Sequence, residues 1–509
     1  MPLQPFPGFI GVTDQRSPRF LNTELTENFY YEFADPGSAT RSGASLLSTP
    51  GLLSRADLNF PEIGNVGALV TVEGQIQDNI ILDPRTFAVV GHSGGNNNNQ
   101  FYEIHKDGSA PKDWGSLPFD DPRGYYRIIA GTNEMYIICL TTKTIYGGYF
   151  HYALPAVHVI SPDLTSPPGL DPNTIHNIAG FTTPCDGDFM DGYFLFARAG
   201  TNSFFISSGH PGLSFDPLDT QLENDLPGSI VALRAVAGRV WIFGRDRMVA
   251  WYNSGAADFP FSRDNSSRVN IGAVSAAAVT KLENTLFWLG RDTYGSVGAF
   301  KLVGYSPQRI SQPAQEQVWQ NGNIENAITW SYQEEGHQFF VLCFPSLDRT
   351  YCYDDREGRW HMRSVYDPTL GRSAMHVAYT HTFNPFIGHI VGDRQAGKGY
   401  LLSRQYPTDF GRTITRRRTA PHLYGGGSIQ FYRHFLLDTN TSAATLSYSN
   451  DDGATFSTPR APDVQNAERP EWWRLGSALT DRVFDVQITD TTQPVAVAGA
   501  YLDMEGGRS

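Results

Sequence analysis

Short runs of β-branched and aromatic residues recur through residues 66–403, and glycine or proline interrupts nearly every interval between them. The central run of each group follows the previous one at a spacing of roughly 45 to 60 residues, the range of propeller blades. The clearest group, residues 231–252, has the pattern strand, turn, strand, turn and short strand. With 50 glycines and 32 prolines in 509 residues, the chain leaves little room for long helices.

This repeat predicts an all-β fold that contains a β-propeller, a ring of sheets that hides most of its strand edges. Seven groups can be counted and the first is poorly formed, so seven blades are favoured and six are the alternative. The predicted domains are an N-terminal arm over residues 1–65, the propeller over 66–403 and a C-terminal β-sandwich or platform domain over 404–509. A proline-rich insertion at about 150–176 is expected to project between blades.

Charge and targeting signals restrict the function classes. The formal net charge of −13 argues against a protein that grips nucleic acid over its whole surface. The start lacks a basic segment followed by an apolar run, and no apolar run is long enough to span a membrane, so the chain is expected to be cytosolic when made. Four scattered cysteines do not make a disulfide scaffold. Cys343 and Cys352 could face each other across a hairpin, but two free thiols are favoured.

No pattern in the chain predicts a catalytic, cofactor or metal site, and the protein is expected not to be an enzyme. Residues 91–95 fit the G-x-S-x-G pattern, but an asparagine-rich loop follows where a hydrolase would have a helix. The histidines and cysteines show no zinc-binding spacing, and there is no phosphate-binding G-x-x-x-x-G-K-[ST] sequence.

One Asp-box, S-x-D-x-G-x-T-[WF], occurs at residues 449–456. Ser449 and Asp451 are expected to tie the backbone of a tight turn, Gly453 to adopt positive φ, and Phe456 to pack beneath it. Sialidases carry several such turns on propeller blades. Because this copy is single and lies outside the propeller region, we interpret it as structural. A carbohydrate-binding or sialidase-like propeller, acting as a receptor-binding protein, is the alternative function.

An arginine cluster at Arg416, Arg417 and Arg418 follows the predicted propeller. It has two interpretations of similar weight. The arginines could lie on a solvated or acid-paired surface strand, or they could contact an acidic partner, such as an adaptor protein, or nucleic acid.

Several motifs, in order along most of the chain, are similar to those of one bacteriophage protein family. The opening pair is ENFYYE at residues 27–32 and LLSTPGL at 46–52. The later motifs lie at residues 239–244, 251–255, 260–261, 287–290, 304–311, 336–341, 358–361, 392–400, 449–453, 474–476 and 481–484. The chain therefore resembles the packaged-DNA stabilisation proteins of short-tailed bacteriophages (podoviruses), also called tail nozzle or hub proteins.

The resemblance implies a structural virion protein of the tail, assembled in the host cytoplasm. Such a head-completion protein forms a homo-hexamer below the portal and tail adaptor. It retains packaged DNA, binds a tail needle or plug and tailspikes or fibres, and becomes the conduit for ejection of double-stranded DNA. The family contributes no catalytic residues. An acidic chain suits a conduit, because a negative lumen repels phosphates, and we expect Asp and Glu to dominate the channel wall.

Overall fold

The computed structural model is nearly all β, with one α-helix of eight residues, α1 (Pro313–Gln320), in the part of the chain that it describes. The prediction of an all-β fold is confirmed. The described residues are 3–11, 24–34, 43–61, 64–72, 76–77, 80–81, 83–91, 99–117, 125–131, 134–140, 144–153, 157–160, 184–207, 215–216, 218–466, 468–479 and 481–507. None of these residues forms a helix with the length and apolar character needed to cross a membrane.

Five strands precede sheet 1 of the propeller in the described chain. They are β1 (Gln4–Pro5), β2 (Leu25–Glu27), β3 (Phe29–Ala34), β4 (Gly43–Ser48) and β5 (Gly51–Asn59).

Seven antiparallel sheets then follow one another along the described chain. Sheet 1 contains β6 (Val66–Val72), β9 (Arg85–Val90), β10 (Asn99–Ile104) and β11 (Lys112–Leu117), with a side pair β7 (Ile76–Gln77) and β8 (Ile80–Ile81). Sheet 2 contains β12 (Tyr126–Ala130), β13 (Glu134–Cys139), β14 (Thr144–Ala153) and β15 (Val157–Ile160). Sheet 3 contains β16 (Pro184–Met190), β17 (Tyr193–Arg198), β18 (Ser203–Ile206) and β19 (Thr220–Leu222).

The later sheets repeat this pattern. Sheet 4 contains β20 (Ala232–Val236), β21 (Arg239–Phe243), β22 (Met248–Asn253) and β23 (Phe261–Arg263). Sheet 5 contains β24 (Ile271–Ala273), β25 (Val279–Leu282), β26 (Thr285–Asp292), β27 (Val297–Val303) and β28 (Ser306–Arg309). Sheet 6 contains β29 (Ile328–Glu334), β30 (His337–Phe344), β31 (Arg349–Asp354), β32 (Arg359–Asp367) and β33 (Arg372–Met375). Sheet 7 contains β34 (Ala378–Asn384), β35 (Gly388–Asp393) and β36 (Lys398–Ser403).

The inner strands of these sheets pack side by side in a closed ring: β6, β12, β16, β20, β25, β29 and β34, which returns to β6. The ring is completed from the other end of the chain, because β5 pairs antiparallel with β36 as the fourth strand of sheet 7. The core lies between neighbouring sheets. Phe287 of sheet 5, for example, stacks on Phe340 of sheet 6 with ring centroids 5.3 Å apart.

After sheet 7, the short strands β37 (Thr408–Asp409) and β38 (Arg412–Thr413) extend that sheet beyond β5. The C-terminal module that follows is a sandwich of two sheets. Its strands are β39 (Arg416–Thr419), β40 (Leu423–Tyr424), β41 (Gln430–Thr439), β42 (Ala444–Ser449), β43 (Glu471–Ala478), β44 (Asp481–Ile488) and β45 (Ala496–Gly506). One sheet has the order β3, β4, β45, β41 and β43, while β39, β44, β40 and β42 belong to the other, which continues through β2 into sheet 6. Phe435, Trp472 and Phe484 are buried between them.

The N-terminal region differs from the expected irregular arm over residues 1–65. β1, β3 and β4 belong to the sandwich, β2 joins β39 to β32, and β5 completes the propeller. Phe29 and Leu46 lie in the core of the sandwich. β3 and β4 pair with each other as a hairpin, but β1, β2, β4 and β5 also have partners hundreds of residues away. The segment looks irregular in the sequence because those distant partners leave no local pattern.

The structure also differs in part from the projecting insertion expected at about 150–176. Residues 150–153 are the end of β14 and residues 157–160 form β15, and these two strands pair antiparallel within sheet 2. The rest of the insertion lies outside the described residues, as does the serine of the 91–95 pattern.

The cysteines with described side chains are free thiols, as predicted for Cys343 and Cys352. In the β30–β31 hairpin, Cys343 lies opposite Thr350, and Cys352 lies opposite Val341. The two cysteines are therefore not cross-strand partners. Both are buried, and burial raises the pKa of the Cys343 thiol to about 11.

The burial of His361 predicts that the folded protein loses stability in acid. His361 on β32 lies against the rings of Tyr30 and Phe339, and burial, together with Arg363, lowers its pKa to about 3. The unfolded chain takes up this proton near pH 6.5 and the native chain does not, so native stability falls as the pH drops below about 6.5. At pH 5 this histidine should cost about 2 kcal/mol.

Urea unfolding of the wild type and His361→Gln at pH 7.5 and pH 5 checks this. The variant should lose about 2 kcal/mol less than the wild type between the two pH values. Equal losses of unfolding free energy between pH 7.5 and pH 5 in the two proteins would contradict the lowered pKa of His361. A destabilisation by the substitution that is the same at both pH values does not affect this comparison.

Candidate functional site

Charged side chains converge where the inner strands of sheets 2 to 5 meet. We call Arg127, Asp186, Asp188, Arg234 and Lys281 the axial centre. Asp186 and Asp188 lie two residues apart on β16 and therefore face the same side of the strand. Arg127 Nη1 lies 3.0 Å from Asp186 Oδ1, and its Nη2 lies 3.2 Å from Asp188 Oδ2. Lys281 Nζ lies 2.5 Å from Asp188 Oδ2, and Arg234 contacts Asp186.

Backbone groups complete these contacts and join four sheets. The amide N–H groups of Leu233 and Ala235 donate to Asp186 and Asp188, each at 2.8 Å. Arg234 donates to the carbonyl oxygen of Ala276 at 2.6 Å and to that of Val279 at 3.1 Å. A carboxylate pair on sheet 3 thus links to sheets 2, 4 and 5, which is a means of holding the ring closed at its centre.

The electrostatics of the axial centre leave little room for acid–base catalysis. Three cations surround two carboxylates. Burial raises the pKa of Asp186 to about 7. Burial acts in the same direction on Asp188, but Lys281 and Arg127 outweigh it and lower the pKa of that carboxyl. Since both carboxyl groups are engaged by cations and by amide N–H groups, neither is available as a free acid or base toward a substrate.

A cavity of about 380 Å³ lies beside the axial centre and is lined by the inner strands of six sheets. Arg127, Arg234 and Lys281 form one part of its wall, and Trp330 and His381 contribute aromatic surface. The sequence does not predict this centre, because Arg127 and Arg234 are 59 and 48 residues from Asp186. The available signal was a pair of aspartates at alternate positions in an otherwise apolar strand.

A second cavity, of about 600 Å³, is lined by residues of both the propeller and the C-terminal module. We call it the interdomain cleft. Its charged lining mixes both signs, with Glu24, Glu27, Asp348, Arg349, Arg363, Arg372 and Arg417. Burial raises the pKa of Glu27. The cleft brings together two predicted positions, because the Arg417 guanidinium lies over the Phe456 ring at 5.7 Å.

The arginine cluster is largely internal, which corrects the suggested adaptor contact for two of its members. Arg416 and Arg418 have 0% and 1% of their surface exposed, since alternate residues of β39 point into the molecule. Arg416 donates to the carbonyl oxygens of Pro407 and Asp490 at 2.9 and 3.0 Å. Arg417, 30% exposed, pairs with Asp485 at 2.7 Å and matches the acid-paired interpretation.

The Asp-box has the local geometry expected of a structural turn. Ser449 Oγ donates to Asp451 at 2.6 Å and accepts from the Gly453 amide at 3.0 Å. The Thr455 amide donates to Asp451 at 2.9 Å, and these hydrogen bonds lower the pKa of Asp451 to about 2. Gly453 has φ +77°, and Phe456 is partly buried at the interdomain cleft.

Replacing Gly453 by alanine should lower the free energy of unfolding by about 1–2 kcal/mol, because a Cβ is strained at this positive φ. Gly499→Ala is the matched control. Gly499 lies in β45, and a Cβ there would first meet Tyr501 at 3.8 Å, so we expect a change within about 0.5 kcal/mol. Urea unfolding measures both variants, and equal effects would contradict the assigned strain.

No curated protein sequence matches the chain, and the solved structures that it resembles include distant likenesses. The extracellular domain of a hybrid two-component system from B. thetaiotaomicron is 10% identical, with a TM-score of 0.40 over 84% of this chain and 47% of that one. The present chain thus spans about half the length of that relative. YCF48 from Cyanidioschyzon merolae is 12% identical, with a TM-score of 0.35 over 70% of this chain and 98% of that one.

An exo-β-1,3-galactanase from Phanerochaete chrysosporium, crystallised with galactose, is 10% identical, with a TM-score of 0.27 over 74% of this chain and 95% of that one. At such values the likenesses carry no argument about function.

The family comparison is more specific than the structural one. Residues 165–406 match the model of the phage stabilisation family, which is described as the β-propeller of bacteriophage P22 Gp10. The matched segment is just under half of the chain and runs from before sheet 3 to just past sheet 7. It contains the motifs between residues 239 and 400, whereas the opening pair and the motifs after residue 448 lie outside it. Over residues 165–406, the chain is therefore similar to the phage stabilisation family, the family of the bacteriophage P22 Gp10 β-propeller.

Proposed function

We propose that this protein is a structural component of a phage virion that forms the tail nozzle below the portal and adaptor. In this proposal several copies, six by resemblance to the family, form a ring that retains packaged DNA. The ring later serves as the conduit for ejection and carries the needle or plug and the spikes or fibres. Its role is structural and not catalytic. The observation that carries the proposal is the match of residues 165–406 to the phage stabilisation family.

The contacts between the sheets support a role as a rigid subunit in the wall of the proposed ring. The axial centre ties the inner strands of four sheets together, and β5 completes the ring from the opposite end of the sequence. The sandwich is joined to sheet 6 through β2, so propeller and sandwich share one continuous sheet. A chain built in this way can transmit load between neighbouring proteins in a particle.

The geometry also restricts where DNA could pass. The cavity beside the axial centre has a volume of about 380 Å³, which is far too small for a DNA duplex. A conduit would therefore lie between copies of the chain and not along the axis of one propeller. Given the net charge of −13, we propose that Asp and Glu dominate the wall of that conduit. A wall lined mainly by arginine would contradict this part of the proposal.

Cryo-electron microscopy of the purified full chain, alone and with its portal–adaptor complex, tests the proposal. A six-fold ring with an open central channel, in either sample, is the expected result. Single discs in both samples would overturn the nozzle function. In that case a glycan array would test the alternative of a carbohydrate-binding propeller.

A further inference from the structure

We propose that His422, Asp452 and Asp481 form a binding site for a divalent transition-metal ion, with Zn²⁺ as the preferred ion. Their donor atoms all lie within 4.8 Å of one another, and in the described part of the chain no other group of three or more His, Cys, Asp or Glu converges in this way. We call these three residues the sandwich triad. The triad lies in the C-terminal module and is separate from the axial centre and the interdomain cleft.

Two donors of the sandwich triad are already desolvated and held in place. His422 Nδ1 lies 2.6 Å from Asp481 Oδ2, and the two side chains are 2% and 3% exposed. The backbone pairing of Tyr424 with Asp481 joins β40 to β44 beside them. The Tyr424 ring stacks on that of His422, with centroids 5.5 Å apart and planes within 9°. An ion bound to these two side chains would replace the hydrogen bond between His422 Nδ1 and Asp481 Oδ2, release its proton and move the two donor atoms apart to about 3.3 Å.

The third donor comes from the Asp-box. Asp452 is exposed at the tip of a turn that Ser449 and Asp451 hold by hydrogen bonds. Donors around tetrahedral zinc lie about 3.3 Å apart, given metal–ligand distances of about 2.0 Å. An exposed carboxylate can rotate inward to reach that distance. The ion would then clamp the Asp-box turn to the β40–β44 pair.

The charge around the sandwich triad favours a cation. Two carboxylates face one histidine, and the neighbouring buried cation, Arg482, makes its hydrogen bonds elsewhere. Its Nε donates to Asn450 at 2.9 Å, and its Nη1 and Nη2 donate to the carbonyl oxygens of Leu475 and Ser477 at 2.7 and 2.9 Å. Arg482 therefore gives neither carboxylate a hydrogen bond, and a bound divalent ion would add positive charge beside both of them.

The types of donor atom restrict which ion the sandwich triad can bind. A histidine nitrogen with two carboxylate oxygens is a set typical of Zn²⁺ and similar transition ions, with a fourth position left for water. Calcium takes six to eight oxygen ligands, which three side chains with one nitrogen do not provide. The sequence does not predict the sandwich triad, because His422, Asp452 and Asp481 lie in three separate segments of the chain.

Titration of the chelator-treated full chain with ZnCl₂ in a calorimeter tests the site. We expect equimolar binding to the wild type and a rise in its thermal midpoint. Asp452→Asn should weaken Zn²⁺ binding by about tenfold or more without unfolding the protein, because Asp452 is exposed. Asp463→Asn, at another exposed aspartate of the same module, should bind as the wild type does.

Cobalt provides a second measurement. Co²⁺ in the sandwich triad should give visible absorption bands of a low-coordinate N/O site, and His422→Asn should abolish them. An intense near-ultraviolet thiolate band would place the ion on a cysteine and overturn the proposal. Absence of Zn²⁺ binding to the wild type, or unchanged binding to Asp452→Asn, would overturn it equally.

Discussion

Replacing Arg418 by methionine should lower the free energy of unfolding by about 3–5 kcal/mol, since it breaks a buried ion pair from one side. The guanidinium of Arg418 donates to the carbonyl oxygens of Phe9 and Gly8 at 2.7 and 2.9 Å. It also donates to Thr26 Oγ1 and to Glu24, each at 3.1 Å. Methionine fills similar space but leaves these acceptors without their donor.

The same substitution should release the N-terminal segment. Because Arg418 contacts residues on both sides of the stretch 12–23, we expect limited proteolysis to remove the segment before residue 24 faster than in the wild type. Arg433→Met is the matched control: its guanidinium pairs with Glu505 at the surface, with 57% of the side chain exposed, and should cost less than about 1 kcal/mol. Equal destabilisation by the two variants would contradict the anchoring role of Arg418.

Asp188→Asn at the axial centre should lower the free energy of unfolding by about 3 kcal/mol at pH 7. The variant leaves Lys281 and Arg127 facing an uncharged amide, although the Ala235 amide keeps an acceptor. A loss of stability at pH 7 agrees with the lowered pKa of Asp188, because a carboxylate whose native pKa is depressed stabilises the protein above its unfolded pKa. That contribution is lost as the pH falls through the native pKa.

Urea unfolding at pH 7 measures the effect, and Asp191→Asn is the control. Asp191 lies in the turn after β16 with φ +52°, which asparagine also tolerates, and it accepts a hydrogen bond from Asn253 at the surface. We expect a change within about 0.5 kcal/mol for the control. If Asp188→Asn were equally mild, the axial centre would not hold the ring together.

The features that sequence analysis predicted are those whose contacts are local. Each blade sheet is a series of hairpins, so its strands and turns follow one another within a few dozen residues and produce a visible period. The Asp-box turn was likewise predictable, because Ser449, Asp451 and Gly453 bond within five residues of one another.

The features that sequence analysis missed depend on distant partners. Asn28 bonds to Ser364 across 336 residues, and the Val495 amide bonds to Ser48 across 447. Arginines 416 and 418 looked like surface residues because the carbonyl groups that enclose them carry no sequence signal. Only the tertiary structure shows that Arg416 and Arg418 of β39 are buried and bind the backbone of distant segments.

The amino-acid sequence by itself determined the all-β propeller, the appended sandwich and the Asp-box turn, because periodic hydrophobicity and turn residues act over short stretches of chain. The tertiary structure decided which segment closes the propeller, where Arg418 makes its hydrogen bonds, and which charges meet at the axial centre. The physical reason is that an open sheet edge or a buried charge can be satisfied by many segments. The choice among them depends on which segment the completed fold brings within bonding distance.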